Sequence, residues 1–125
     1  MIVGSGIDLV EIGRIQRSMD RHGSRFLDRV YTAAEQAYCL SKRNSAESFA
    51  ARFAAKEAIS KAFGTGIGAQ LGWQDMEIAR KDSGEPYVIL HGKGLELLAR
   101  RGARCVHITL SHTEKHATAM AILEG

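Results

Sequence analysis

The sequence predicts an α+β fold in which a largely antiparallel sheet packs against one long buried helix. Three observations predict it. Helix-period segments crowd the first half of the chain, between residues 12 and 63, while strand-like segments fill the second half and one more opens the chain. Grouped helices and strands, without strict alternation, mark α+β rather than a doubly wound parallel sheet. The 125 residues suit a single domain, 1–125, whose one core would bury roughly two-thirds of the unfolded surface.

Residues 2–10 (IVGSGIDLV) are apolar and β-branched and read as a strand, with Gly4 and Gly6 implying a close backbone approach. Residues 12–22 and 24–30 read as helix, broken at Gly23. Thr32 with Glu35 has capping-box spacing and opens a helix running to about Lys42. Ser45 precedes a long helical stretch, 46–63, that stops at Gly64, a natural residue just past a helix end. The glycine loop 64–72 follows. Residues 73–80 read as a strand, 81–86 as a turn, 87–90 as a strand, and 93–101 as a short helix closed by Gly102. Val106, Ile108 and Leu110 alternate along 104–110, a strand pattern; 111–116 reads as a turn and 117–123 as the last strand. Pro86 is the one proline, so glycine does most of the punctuating.

Hydrophobic residues at 45% and charged residues at 25% exclude disordered and collagen-like classes. Aromatics at 6% supply a poor stacking platform for single-stranded nucleic acid. No apolar run approaches the ~20 residues of a membrane span. Asp8 and Glu11 interrupt the opening apolar stretch, which therefore does not read as a secretory leader. The expectation is a soluble, cytoplasmic protein with neither nucleic acid nor membrane as a partner. Cys39 and Cys105 lack CxxC spacing and read as reduced, packed thiols. A net charge of +3 favours an anionic ligand or an acidic partner where the basic residues cluster.

The helix 46–63 carries apolar residues all round its circumference, the mark of a buried helix. Glu57 and Lys61 nonetheless sit one turn apart on it. They read either as a stabilising i,i+4 pair or as part of a site, because isolated buried charges are costly. Asp8 is the second unusual carboxylate, an acid inside an apolar strand. It reads as a turn or helix cap, or as a ligand that joins Glu57 around a hard divalent cation and substrate phosphates. Gly64, Gly66 and Gly68 match neither a dinucleotide fingerprint nor a Walker loop. They form a flexible connector or let backbone N–H groups approach a phosphate. Arg14, Arg17, Arg21, Arg25 and Arg29 recur at three- and four-residue spacing as a stripe beside the apolar face of Ile12, Ile15, Met19, Phe26 and Val30. That is a solvated face or a docking surface for an acidic partner. His112 and His116 fall in a turn and lack the helical spacing of a zinc motif.

Taken together, these segments resemble the holo-[acyl-carrier-protein] synthase family, the short 4′-phosphopantetheinyl transferases, almost end to end. The stretches that carry the likeness are GIDLVEIGRI (6–15), RFAAKEAISKAFGTGIG (52–68), WQDMEIARKDSGEPYVILHG (73–92) and ITLSHTEKHATAMAIL (108–123). The resemblance implies transfer of the 4′-phosphopantetheine arm of coenzyme A to a serine of apo acyl carrier protein in fatty acid biosynthesis, releasing adenosine 3′,5′-bisphosphate. It assigns Asp8 and Glu57 to Mg²⁺, with Mn²⁺ an alternative oxygen-liganded ion, and Lys61 to the pyrophosphate, the three together forming the catalytic set. Gly64, Thr65, Gly66 and Ile67, the turn Ser83, Gly84 and Pro86, and the closing residues Ser111, His112 and Thr113 would bind coenzyme A. Arg14, Arg21 and Arg25, with Met19 and Phe26, would dock the acidic carrier protein; Arg17 and Arg29 depend on how the break at Gly23 turns them. Family members resemble homotrimers with active sites between subunits. Glu85 departs from the basic residue many members carry before the proline. For the general base, Glu57 and a metal-bound water both stand, with the water favoured because a ligated carboxylate is a weakened base. Two other readings compete. A non-catalytic coenzyme A or nucleotide module would bind ligand without regard to Mg²⁺, and a small docking protein would bind its acidic partner without needing Lys61.

Overall fold

The computed structural model describes residues 1–125. In chain order it contains β1 (Ile2–Glu11), α1 (Ile12–His22), α2 (Ser24–Val30), α3 (Ala33–Leu40), α4 (Ser45–Phe63), a single 3₁₀ turn (Trp73–Asp75), β2 (Met76–Arg80), β3 (Pro86–Leu90), α5 (Lys93–Arg100), β4 (Cys105–His112) and β5 (His116–Glu124). All pairing is antiparallel, and the strands form two sheets: a three-stranded one in the order β1-β5-β4 and the hairpin β2–β3. The predicted class therefore holds, with the sheet divided in two.

Alternation along β5 decides which face of the larger sheet is covered. Ala117, Ala119, Ala121 and Leu123 are buried, whereas Met120 is exposed. The alanine face receives α4, which crosses β1 and β5. Small side chains there let helix and sheet approach, and the two glycines of β1 carry the approach further. A Cβ on Gly4 would collide with the carbonyl of Ala62, and one on Gly6 with the carbonyl of Ala58. Main chain thus rests on main chain. Gly6→Ala is expected to cost about 3 kcal/mol, because neither backbone can yield without moving an element. Urea unfolding of the two proteins checks this.

The helical half follows from its caps. Gly23 adopts φ 54° and donates its N–H to the Met19 carbonyl, ending α1 and starting α2 at a new angle. Thr32 caps α3 by accepting the Glu35 N–H, and the Glu35 carboxylate accepts the Thr32 N–H in return. Gly64, at φ 81°, takes the left-handed position that closes α4.

Glu35 also reaches far outside its own helix. It is 1% exposed and pairs with the fully buried Lys56 of α4 at 2.7 Å, while its other oxygen accepts the Ile78 N–H of β2. Lys56 completes its shell with the carbonyls of Val30 and Trp73. Burial depresses its pKa, and Glu35 opposes that shift. One buried ion pair therefore ties α2, α3, α4, the 3₁₀ turn and β2 together.

Several sequence boundaries move. Residues 73–75 leave the expected strand because Asp75 turns back on Gly72, through its own N–H to the Gly72 carbonyl and through its carboxylate to the Gly72 N–H. The helix expected to reach Lys42 ends at Leu40, where the Ser41 hydroxyl takes the Tyr38 carbonyl. Ser111 and His112, expected in a turn, extend β4 by pairing with Thr118 and Ala117. Both cysteines are free, but only Cys39 is fully packed; burial pushes its thiol up to about 11, whereas Cys105 is half-buried. No helix is long and apolar enough to cross a membrane.

Candidate active site

Asp8 lies on the covered face of β1, two residues beyond Gly6. Seating α4 on that glycine brings the next turn of the helix over the aspartate. Lys61 donates to Asp8 Oδ1 at 3.0 Å and to the Ile7 carbonyl at 2.9 Å. Its side chain is half exposed, so the ammonium bridges the site and open solvent. Glu57, one turn earlier, faces the same place. Burial raises its pKa, the Asp8 charge adds to the rise, and Lys61 and Arg14 oppose it. The i,i+4 spacing of Glu57 and Lys61 has thus become a three-residue cluster with Asp8, in place of the isolated helical pair.

Two carboxylates that repel across a partly open cleft suit a hard divalent cation. The donor set is oxygen alone, Asp8 is held short of full solvation, and the mutual repulsion is relieved when a cation enters between them. Mg²⁺ fits these residues, and Asp8 and Glu57 would hold it. Lys61 remains beside them as a half-exposed cation.

Arg14 connects this cluster to the arginine row. Its guanidinium stands 5.6 Å from the centroid of the Phe53 ring and its charge bears on Glu57. One shallow depression is lined by Arg14, Arg17, Arg21 and His22, and the next by His22, Arg25, Phe26 and Arg29. The break at Gly23 therefore does not scatter the row. Arg17 and Arg29, the two members in question, stay in line with Arg14, Arg21 and Arg25. Met19 and Phe26 are half-buried against the core, and Phe26 also lines the second depression.

The residues expected to bind coenzyme A fall in three places. Gly64, Thr65, Gly66 and Ile67 leave the C-terminal end of α4, where the N–H groups of Thr65 and Gly66 both bond to the Ser60 carbonyl. Ser83, Gly84 and Pro86 form the tip of the β2–β3 hairpin. There Lys81 and Glu85 pair at 2.6 Å, so the unexpected acid is neutralised by its own hairpin. Ser111, His112 and Thr113 close β4, and His112 pairs with Glu47 in the first turn of α4 at 3.2 Å. Glu47 and Gly64 stand about 25 Å apart along the helix at a rise of ~1.5 Å per residue. Within one chain the glycine loop and the Ser111–Thr113 end of β4 are at opposite ends of α4.

Sequence reasoning missed six residues. Glu47 orients His112. Arg101 donates to the Phe63 carbonyl and lies against Gly64, adding a cation beside the glycine loop. Arg52 is 1% exposed, stacks 4.3 Å from the Tyr38 ring centroid, and leaves its Nε without a partner. Lys42 and Arg80 face the same ring, at 4.6 and 6.0 Å. The signal for Arg52 was present, since it is a cation on a helix apolar all round with no acid one turn away on either side. Lys56 was hidden, because its partner lies 21 residues distant.

Comparison with known proteins bears on this geometry. The family model of the 4′-phosphopantetheinyl transferase superfamily matches residues 4–121. The holo-[acyl-carrier-protein] synthase of Koribacter versatilis is 51% identical over 124 residues, 99% of each chain. The crystal structure of holo-[acyl-carrier-protein] synthase from Neisseria meningitidis superposes with a TM-score of 0.93 at 30% identity, covering 100% of both chains. The Helicobacter pylori holo-[acyl-carrier-protein] synthase in complex with coenzyme A gives 0.86 at 31% identity, over 96% of this chain and 99% of that one.

Proposed function

The chain belongs to the 4′-phosphopantetheinyl transferase superfamily, and we propose that its Asp8, Glu57 and Lys61 are the groups with which it moves the 4′-phosphopantetheine arm of coenzyme A onto apo acyl carrier protein. It is a holo-[acyl-carrier-protein] synthase by likeness along the whole chain. The observation that carries the residue assignment is the convergence of two mutually repelling carboxylates and a half-exposed lysine where α4 crosses β1.

Asp8 and Glu57 would hold Mg²⁺, which when bound supplies charge neutralisation at the pyrophosphate. Lys61 is anchored by the Ile7 carbonyl, so its ammonium can turn from Asp8 toward a phosphate oxygen without leaving the cleft. There it steadies charge on the departing adenosine 3′,5′-bisphosphate. Arg14, Arg21 and Arg25 with Met19 and Phe26 dock the acidic carrier protein of fatty acid biosynthesis and deliver its serine beside Glu57. The cation–π seat of Arg14 on Phe53 joins docking surface and site. Gly64, Thr65, Gly66, Ile67, Ser83, Gly84, Pro86, Ser111, His112 and Thr113 line the coenzyme A site. The separation of its parts along α4 favours a site shared between chains, with Ser111–Thr113 at the end of one copy's β4 completing its neighbour's cleft. The outer sheet face favours the same assembly, since Ile7, Leu9 and Met120 are 59%, 67% and 43% exposed on it. A homotrimer built on that face is the proposed form.

The test is intact-protein mass spectrometry of an apo acyl carrier protein incubated with the chain, coenzyme A and Mg²⁺, with and without chelator. A metal-dependent gain of one phosphopantetheine arm is the expected result. No gain across several carriers with a folded sample overturns the reading. Reversing Arg14 and Arg21 to glutamate is expected to cut modification by on the order of 100-fold, through two lost charge pairs, while coenzyme A affinity holds. Modification at full rate would remove these arginines from the docking surface.

Glu57 also sets a pH dependence. Its pKa is raised by folding, so the folded chain holds that proton more tightly and loses stability as pH rises from the ordinary carboxylate range through the raised value. Glu57→Gln removes the effect. Above that window and without divalent cation, the variant is expected to melt at a higher temperature than the parent. Mg²⁺ is expected to raise the melting temperature of the parent alone.

A further inference from the structure

The free side of the β1-β5-β4 sheet carries a cluster that the transferase reading does not use. Cys105 and His107 are two residues apart on the edge strand β4 and so share a face. Cys105 is paired directly with Glu124 of β5, which brings that side chain onto the same face. Cys105 Sγ lies 3.4 Å from His107 Nε2 and 3.8 Å from Glu124 Oε1, and His107 Nε2 lies 2.8 Å from Glu124 Oε1. In the single chain the cluster is accessible, with His107 and Glu124 side chains 59% and 42% exposed.

We propose that Cys105, His107 and Glu124 bind one divalent transition-metal ion of the zinc class, through a thiolate, an imidazole nitrogen and a carboxylate oxygen, with water as the fourth ligand. A tetrahedral zinc ion with bonds of about 2.3 Å to sulfur and 2.0–2.2 Å to nitrogen and oxygen spaces its ligand atoms ~3.3–3.6 Å apart. The two distances to sulfur already lie within 0.2 Å of that range. The N···O distance opens by about half an ångström as the hydrogen bond is exchanged for two metal bonds. Both donor strands are fixed by backbone pairing, so little chain entropy is lost on binding. Soft sulfur and borderline nitrogen select against Mg²⁺ and Ca²⁺. A thiolate and a carboxylate balance the two positive charges, which matters because Arg104 and the N-terminal ammonium also act on Glu124. On binding, the Cys105 proton leaves to solvent and the ring proton of His107 resides on Nδ1, freeing Nε2 for the metal.

The cluster shares none of its ligands with the Asp8, Glu57 and Lys61 group, which lies on the covered side of the sheet, although it stands on the same free face as Met120, where the homotrimer is proposed. The test titrates Co²⁺ into the full-length protein in excess Mg²⁺, which keeps hard oxygen sites filled. One equivalent per chain is expected, with a near-ultraviolet thiolate-to-cobalt charge-transfer band, the visible bands of four-coordinate cobalt, and displacement by Zn²⁺. Cys105→Ser is expected to lose the charge-transfer band, and His107→Ala and Glu124→Gln to weaken Zn²⁺ binding at least ~10-fold. Cys39→Ala is expected to keep the band. All four variants are checked for native circular dichroism and for the parent's oligomeric state. Absence of the band in the parent, its survival in Cys105→Ser, or equal Zn²⁺ affinity in all four variants overturns the site.

Discussion

Asp8→Ala is expected to lower the rate of carrier-protein modification by on the order of 10³-fold, the scale of several kcal/mol of lost charge neutralisation. The loss is expected in kcat more than in the KM for the carrier protein, whose proposed docking arginines lie on α1 and α2 and remain intact. The variant also frees Lys61, which keeps only its bond to the Ile7 carbonyl. Raising Mg²⁺ is therefore not expected to restore the rate, because Glu57 alone leaves one carboxylate where the proposed metal site has two. The protein should remain folded, since the side chain of Asp8 makes no contact in the core beyond the lysine pair. Steady-state kinetics with a mass readout, at several Mg²⁺ concentrations, decides the matter. A rate within threefold of the parent would move the metal-holding role away from Asp8, and threefold is about 0.65 kcal/mol, too small for a metal ligand.

Lys56→Met is expected to cost about 3–5 kcal/mol of stability, enough to leave many domains of this size partly unfolded. The methionine fills the space but deserts three acceptors at once: Glu35 and the carbonyls of Val30 and Trp73. The charge left on Glu35 then sits buried beside Ile78 with only N–H groups to hold it. Replacing both partners, Glu35→Gln with Lys56→Met, is expected to recover part of the loss, because no uncompensated charge remains. A double-mutant cycle by urea unfolding measures the coupling. If the single variant lost under 1 kcal/mol, the pair would be a passenger of the fold rather than its central tie.

Local signals were legible in the sequence and long-range pairings were not. Thr32 and Glu35 announced a capping box, Gly23 a break and Gly64 a helix end, because each is decided by a few neighbouring residues. Gly4 and Gly6 announced a close approach, and the structure names the carbonyls of Ala62 and Ala58 as what they approach. Asp8, Glu57 and Lys61 stood out because charge in an apolar element demands a reason. The buried pair escaped for the opposite cause. Lys56 and Glu35 each look ordinary locally, and only the folding of α3 across α4 joins them. Ser111 and His112 looked like a turn because polar residues were read by type, whereas backbone pairing with Thr118 and Ala117 makes them strand. The triplet of Cys105, His107 and Glu124 depends on register between β4 and β5, which no single segment encodes.

The backbone seat of α4 on β1 has an evolutionary consequence. Where a helix is held off a sheet by side chains, every core substitution shifts the helix and drags its functional residues along. Here the spacing between Asp8 and Lys61 is set by the thickness of two main chains at Gly4 and Gly6. Side chains such as Phe49, Phe63 and Leu123 can then drift among sizes and shapes, tuning thermal tolerance, while the reacting groups keep their separation. Stability and activity become separately adjustable traits in this protein, and lineages can explore the first without risking the second so long as the two glycines stay.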